Sequence, residues 1–565
     1  MSAETIVIKL GSSVLPDDAA ALRGVQEIYR EVRAGRRVVC VVSAFGDTTD
    51  TLCARARDLA PRANEALYAE FLATGEAAAV LAFALALDGG GIPVETLDVH
   101  GLALATTGAT LDATPVSVDV EALNRALEKA PVVVVPGFVG KDANGRSTLL
   151  GRGGSDLSAI FIAHALEAAC RLVKDVDGWF EDDPARTGPA PRRYATLHWD
   201  DAIASPAPIV QAKAVEWARR LDRPFEVAAL ESSGPTTVSA ADSAFAPTPS
   251  SPRPVRVALL GCGTVGAEVA RRLVRETDHE LVSVLVRDVD RSRPGVPRAV
   301  ITDDPAVALA HGADIVIELL GDVELAGPLV RAALELGADV VTANKTLLAH
   351  DGTELEALAA SRGVRLMGSA AVGGAVPMLE TVARIASTTR VARLRGVVNG
   401  TCNFVLDAIA AGADLDAAVR EAQRLGFAEA DPSADLEGRD SADKLRLLAR
   451  AAFSVDVTDA SPPPVLGASS ESRAPRRRLV VDAWRDESGD VRSATRIEAL
   501  GSSDPLATVR SEHNALEITD TSGRRHVVRG RGAGPRPTSV AVLADLADAV
   551  RARWAALSPP AEVLA

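Results

Sequence analysis

Asp440 and Lys444 stand four residues apart and lead into the helical run KLRLLARAAF. On a helix they share one face. A lysine beside a carboxylate in a partly dry cleft has a tunable proton affinity. That suits a proton donor or acceptor at a hydroxyl carbon during hydride transfer. The plain alternative is a helix salt bridge, worth roughly 0.3–0.5 kcal/mol. The surrounding stretch, GFAEADPSADLEGRDSADK over Gly426–Lys444, is dense in acids: Glu429, Asp431, Asp435, Glu437 and Asp440. A charge run of this kind ordinarily reads as a solvated face.

Hydride transfer needs a carrier, and Val257–Leu273, VALLGCGTVGAEVARRL, has the parts to hold one. The apolar run Val257–Leu260 reads as a buried parallel strand. Gly261, Gly263 and Gly266 follow with GxGxxG spacing, Thr264 and Val265 among them, and Val265, Val269 and Leu273 then share one helix face. Strand, glycine turn and helix make a dinucleotide-binding βα unit of Rossmann type, with the positive helix end toward the phosphates. Glu280–Val286 reads as the second strand, closed by Arg287 and then Asp288. An acid there holds the ribose 2′-OH of NAD, and an arginine accommodates the 2′-phosphate of NADP. Arg287 lies nearer the strand end, which favours NADP; an exposed loop arginine is the alternative. Two later strands, Asp314–Leu319 and Asp339–Thr342, end at Gly321 and at Ala343-Asn344-Lys345. Ligands sit beyond the carboxyl ends of such strands, so Lys345 is expected to point into the cofactor crevice.

The first half alternates strand-like runs (Ile6–Leu10, Val38–Val42, Val132–Val135, Arg171–Lys174) with helical ones such as Ala19–Ala34 and Leu157–Ala169. This implies an α/β layer around a largely parallel sheet. Three polar turns follow its strands: Lys9–Ser13, Ser43–Asp50, and Gly151–Asp156, which opens a helix. Small residues, a lysine and a helix N-terminus are what polyphosphate binding requires. Arg152 could fork onto a carboxylate. Asp156 and Asp175 could handle magnesium or a phosphate-bound water. An ordinary glycine loop is the alternative for each turn, but three in one sheet point to one crevice.

The totals frame these motifs. At 565 residues the chain exceeds one core. A net charge of −15 without a basic stripe argues against a nucleic-acid partner. Five scattered cysteines, none in CxxC spacing, imply reduced thiols, a cytoplasmic address and no zinc site. The start lacks the pattern of a signal peptide, and the longest apolar run, Ala77–Leu87, is too short to span a bilayer and reads as a buried helix. Ser243–Pro254, SAFAPTPSSPRP, reads as a linker.

Two family resemblances follow from these stretches. KLGSSV, VVSAFGDTTD, ATGE (Ala73–Glu76), PGFVG (Pro136–Gly140), LGRGGSD and KDVDG (Lys174–Gly178) resemble aspartate kinase of the amino-acid kinase family, in that family's order. The resemblance implies an αβα sandwich and transfer of the ATP γ-phosphate, with Mg2+, to the aspartate β-carboxylate. It places Lys9 on the transferring phosphate and Asp156 as the organising carboxylate. Thr49, Glu76, Arg152 and Ser155 would hold the amino acid, and Asp175 would sit by the nucleotide. KLGSS is also similar to glutamate 5-kinase, a relative. Pro208 stands where the family's nucleotide-contacting lysine belongs, with Lys213 nearby, and the usual regulatory domains are absent. An active kinase and a decayed, ligand-binding or scaffold domain are both open.

GCGTVG, TANK, VVNGTCNF, GFAEADPSADLEGRDSADK and GRGAGPRPTSVAVLADL (Gly530–Leu546) resemble homoserine dehydrogenase over nearly all of the second half. That implies interconversion of homoserine and aspartate semialdehyde with NAD(P) in a Rossmann domain and an α+β catalytic domain. Glu429, Asp435 and Asp440 would hold the substrate's amine and hydroxyl. Lys444 would donate the proton, and Lys345 would assist at the reacting oxygen. Gly532 and Gly534 would close over the cofactor. Ser369 stands where the family has an acid serving a structural sodium ion, leaving the carbonyls of Val372, Gly374 and Val376 as ligands. Ser461–Arg478 reads as a surface loop, and VVNGTCNFVL as a strand run with a turn. The expected layout is a kinase-like domain over 1–242, a linker over 243–254, a Rossmann domain over 255–366, a catalytic domain over 367–535 and a returning segment over 536–565. The expected partners are small molecules (homoserine, aspartate semialdehyde, aspartate and ATP), with neither nucleic acid nor membrane, in a homo-oligomer, a dimer or higher.

Overall fold

The structure, a computed structural model, describes residues 4–186, 190–230, 232, 234–247, 254–275, 279–425, 427–428, 431–457 and 477–557. The chain divides into two compact units, one of Met1–Ser251 with Ala556–Ala565 and the other of Pro252–Ala555.

The first unit is built on a nine-stranded sheet, counted among the described residues. Its order is Ala244–Phe245, Tyr194–His198, Thr236–Ser239, Phe225–Ala229, Ala169–Lys174, Thr5–Leu10, Arg37–Val42, Val132–Pro136, Val94–Thr96. The five strands from Ala169–Lys174 to Val94–Thr96 pair in parallel. Thr5–Leu10 lies inside this sheet, and Ile6, Val7, Ile8 and Leu10 are buried. A strand covered on both faces reads as a continuous apolar run, so Lys9 is the exception there. Gly11 follows, which places the lysine at the carboxyl edge of the sheet. Helix Glu65–Gly89 is long and apolar enough to cross a membrane by length and composition. It buries Leu72, Val80, Phe83 and Leu87 and packs on helix Asp18–Arg33 and strand Val132–Pro136. The expectation of a buried helix at Ala77–Leu87 is corrected on one face, where Leu81 and Leu85 are exposed.

The second unit opens on six parallel strands in the order Ile301–Thr302, His279–Leu285, Val255–Leu260, Ile315–Glu318, Asp339–Thr342, Leu366–Met367. In chain order this is 3-2-1-4-5-6, the doubly wound dinucleotide-binding arrangement. An antiparallel five-stranded sheet follows: Val491–Ala499, Arg477–Arg485, Val391–Val397, His513–Asp520, Arg525–Arg531. Leu394, Val481, Leu516 and Ile518 on its strands join Val382 and Ile385 of helix Met378–Thr388 and Leu445 and Leu448 of helix Arg439–Phe453 in one core. The last helix, Pro535–Leu557, comes back to the parallel sheet: Arg553 donates to Asp339 Oδ2 at 2.7 Å and to the Gly337 carbonyl at 3.0 Å.

Several expectations need correction. Ala169 begins a strand rather than ending a helix; helix Gly154–Ala165 stops earlier, because Glu167 takes a positive φ of 51°. Part of the expected linker belongs to the first sheet. Ala244–Phe245 pairs with Tyr194–His198, and Phe245 stacks on Tyr194 with ring centroids 4.5 Å apart. The NGTCN segment is the start of helix Gly400–Ala410, where the Asn399 side chain accepts from the Cys402 N–H and caps the turn. Of the expected surface loop, Arg477 and Arg478 lie in a strand, and Arg478 is fully buried; 461–476 lie outside the described residues.

Candidate active site

Two helices of the second unit bring the chemistry together. Asn344 caps helix Lys345–Arg362, its side chain accepting from the Leu347 N–H at 3.1 Å, so Lys345 sits in the first turn. Asp440 and Lys444 lie one turn apart near the start of helix Arg439–Phe453. The Lys345 ammonium reaches Asp440 Oδ1 at 3.0 Å, and Lys444 reaches Oδ2 at 2.8 Å. Lys444 also donates to the Val398 carbonyl at 2.7 Å. Burial pushes the Asp440 carboxyl up, but the two ammonium groups outweigh it and hold it down at about 2. Asn399 donates from one amide nitrogen to Asp435 Oδ1 and to Asp440 Oδ2, both at 2.8 Å. Burial, and then the Asp440 charge, raise the Asp435 carboxyl above the usual range. Thr346 donates to Asp443 at 2.9 Å and Arg450 to the Leu348 carbonyl at 2.9 Å, which ties the two helices side by side. Lys345, Asp435, Asp440 and Lys444 are thus one cluster. Glu429 lies outside the described residues.

The glycine turn is shaped by close backbone approaches. Gly261 takes φ +102°, and a Cβ there would come within 2.5 Å of the Leu319 carbonyl oxygen; at Gly266 it would meet the Gly261 carbonyl. At Gly263 nothing lies within 4 Å of that point. The tight turn, the helix pressed on the strand, and an open position between them suit a dinucleotide pyrophosphate. Thr264 and Val265 begin helix Thr264–Arg275. Arg287 is exposed at the end of the second strand. Asp288 Oδ1 accepts from the N–H groups of Asp290 and Arg291, and Arg293 donates to the carbonyls of Asp288 and Arg291, both at 2.8 Å. Gly532 backs onto the Asn514 side chain, which donates to the same Val398 carbonyl that holds Lys444. Gly534, at φ +118°, precedes the last helix.

Val372, Gly374 and Val376, whose carbonyls are the expected sodium ligands, lie in the turn that leads into helix Met378–Thr388. The Val376 carbonyl accepts from the Met378 N–H at 2.7 Å. Ser369 donates its N–H and hydroxyl, at 2.9 and 2.6 Å, to the buried carboxylate of Asp545. A buried carboxylate thus stands beside Ser369.

The first unit holds a second cluster. Asp156, buried in helix Gly154–Ala165, takes Lys9 at 2.9 Å on one oxygen and Lys174 at 2.7 Å on the other. Burial raises Asp156, but the two lysines prevail and lower it. Lys174 is lowered by burial and by Lys9. Glu76 is buried beside Lys9, and burial pushes its carboxyl up to about 8 against the Ala44 N–H and Lys9. Ser43 donates to the Ser155 hydroxyl at 2.9 Å. Gly153 stands in the N-cap position of this helix without a side-chain cap, and the first helical N–H, of Gly154, donates to the Gly151 carbonyl at 3.0 Å. Thr49 lies in the first turn of helix Thr48–Leu59, while Arg152 and Asp175 are exposed. Lys213 is engaged by Asp112 and donates to the Leu150 carbonyl at 2.9 Å, so it is not a spare cation for nucleotide.

Lys174 and Asn399, which the sequence reading does not include among the site residues, are brought by the structure into these two clusters. Lys174 stood in view at the end of a strand run, directly after an apolar stretch. Asn399 was hidden by reading its motif as a turn.

A parallel 3-2-1-4-5-6 sheet with a glycine turn, next to a lysine–aspartate–lysine cluster, defines a nicotinamide-nucleotide oxidoreductase, carried with a separate α/β unit. Family models agree: the homoserine dehydrogenase NAD-binding domain matches 261–368, homoserine dehydrogenase matches 377–547, and the amino acid kinase family matches 4–228. The homoserine dehydrogenase of Corynebacterium glutamicum is 36% identical over 320 residues, 53% of this chain and 72% of that protein. That of Bacillus subtilis is 34% identical over 317 residues, covering 52% and 72%. A solved homoserine dehydrogenase from Thiobacillus denitrificans is 33% identical, with TM-score 0.48, covering 54% of this chain and 75% of that one. The chain belongs to the homoserine dehydrogenase family, with an amino acid kinase domain fused in front.

Proposed function

We propose that homoserine and aspartate 4-semialdehyde are interconverted at the cluster centred on Asp440. The observation that carries this reading is one buried carboxylate spanned by two lysines from two helix starts, at 3.0 and 2.8 Å. NAD(P)H, when bound along Gly261–Gly266, supplies the hydride to the aldehyde carbon. Lys444 gives its proton to the aldehyde oxygen as negative charge grows there, and takes it back in oxidation. Lys345 stabilises the same oxygen by its charge. Asp440 and the Val398 carbonyl hold Lys444 in place, and Asp435, oriented by Asn399, takes the substrate ammonium. The family resemblance assigns Glu429, which lies outside the described residues, to the substrate as well. Arg287 and Arg293, with one oxygen of the Asp288 carboxylate taken by its own loop's amides, favour the 2′-phosphate of NADP over the hydroxyl of NAD.

We infer that the first domain phosphorylates the β-carboxylate of aspartate with ATP. Lys9, fixed by Asp156, meets the transferring phosphoryl oxygens, and the uncapped start of helix Gly154–Ala165 takes phosphate. Both Asp156 oxygens are held by lysines, so Mg2+ fits as an ion carried on the ATP phosphates. Glu76, Ser155, Thr49 and Arg152 surround the amino acid, and Asp175 sits at the nucleotide rim. Two assays on the full chain test both halves. Homoserine-dependent NADP reduction and aspartate-dependent ADP release are expected. ADP release with neither aspartate nor glutamate would leave the first domain a binding module.

A further inference from the structure

Glu318 has no part in the reaction described so far, yet it is a fully buried acid at the carboxyl edge of the parallel sheet. Its Cα pairs with Leu260 on one side, the residue before Gly261, and with Thr342 on the other, three residues before Lys345. Its carboxylate reaches both loops. Oε1 accepts from the Leu320 N–H at 2.7 Å, and Oε2 accepts from the Thr342 hydroxyl at 2.5 Å. The same Thr342 oxygen accepts from the Asn344 N–H at 3.0 Å, and Asn344 caps the helix that begins with Lys345. The Leu319 carbonyl, one residue on, is the surface against which Gly261 turns. A salt bridge is not what keeps an acid here: among the described residues Glu318 has hydroxyl and amide partners, and burial pushes its carboxyl up. Burying a carboxyl among neutral donors is costly, and an apolar residue would serve the core better.

We propose that Glu318 is a positioning residue for the dehydrogenase, holding the Lys345 loop and the Leu319–Gly321 loop in mutual register at the hydride-transfer end of the crevice. It acts through Thr342 and Asn344 on Lys345 and does not touch substrate. The inference rests on the reading of Lys345 as a group at the reacting oxygen. A displaced charge at that oxygen costs turnover while leaving the adenosine end of the cofactor site, at Gly263 and Arg287, as it was.

The test is a set of variants of the full chain: E318A, E318Q, T342V, K345A, and each of the first three combined with K345A. Homoserine oxidation and NADPH affinity by fluorescence are measured for each, with a thermal melt as the fold control. E318A and T342V are expected to lower kcat by about 10- to 100-fold, the range for a small misplacement of a catalytic group. NADPH affinity should stay within about twofold, near additive error. E318Q, which can still accept from Leu320 and donate to Thr342, should recover part of the loss. In the K345A background E318A and T342V should add nothing, because they act through the missing lysine. Full additivity with K345A, or an E318A defect confined to cofactor affinity, would overturn the inference while leaving the site intact. Unchanged kcat in K345A alone would sink the site reading and this inference together. If E318A fails to fold, T342V carries the same comparison, since it removes the hydroxyl link and keeps the side-chain volume.

Discussion

Replacing Glu76 by glutamine should make the stability of the first unit markedly less dependent on pH. Glu76 is 3% exposed on helix Glu65–Gly89, and burial lifts its carboxyl from 4.5 to about 8. The folded state therefore holds a proton through that window that the unfolded chain releases. With more protons bound in the folded form, stability falls as pH rises from 4.5 to about 8, by about 1.4 kcal/mol per unit. Over 3.5 units the loss is about 5 kcal/mol, comparable with the whole stability of many domains. Glutamine has the shape and no proton to lose, so E76Q should match the wild type near pH 4.5 and gain on it steadily up to pH 8. Urea denaturation from pH 5 to pH 8.5, following Trp179, Trp199 and Trp217 of the first unit, reads the difference. Saturating aspartate should narrow the gap, because its ammonium favours the ionised carboxylate. A wild-type-minus-E76Q difference that is flat across this range would refute the reasoning, since it would mean that Glu76 is already ionised in the folded protein.

Two glycines should separate folding from binding. G266A drives a methyl onto the Gly261 carbonyl, and an overpacked contact of this kind costs about 1–3 kcal/mol, so both the melt of the second unit and NADPH affinity should suffer. G263A meets nothing within 4 Å, so the melt should hold while NADPH affinity, read by fluorescence titration, falls. The acid limb of kcat/KM for homoserine should lie above the ordinary aspartate range, because Asp435 is raised by burial and by Asp440 and must ionise to hold an ammonium. D435N should flatten that limb and raise KM; Asp440, held at about 2, stays charged throughout it.

The parallel strands were legible because strands covered on both faces read as apolar runs: Ile6–Leu10 and Val257–Leu260 stood out for that reason. The Asp440–Lys444 pair was legible because a spacing of four has one meaning on a helix. Lys345 was legible from where its strand ended. What escaped notice depended on partners distant in sequence. Asn399 becomes a site residue only when Asp435 and Asp440, 36 and 41 positions on, fold against it. Ser369 reads as a missing acid, and only the fold shows the Asp545 carboxylate, 176 residues later, bonded to it. Glu318 sits in the apolar run IVIELL, where one polar letter looks like a strand end rather than a junction between loops. The edge pairing of Ala244–Phe245 was masked by the prolines around it, since local composition says nothing of a neighbouring strand's free edge.

The most direct measurement is homoserine oxidation by K444A, paired with NADPH binding by the same protein. The account predicts that turnover collapses, by at least the roughly 100-fold that a general acid–base group contributes, while NADPH affinity and the melt are preserved. K444A turning over homoserine at close to the wild-type rate would contradict it.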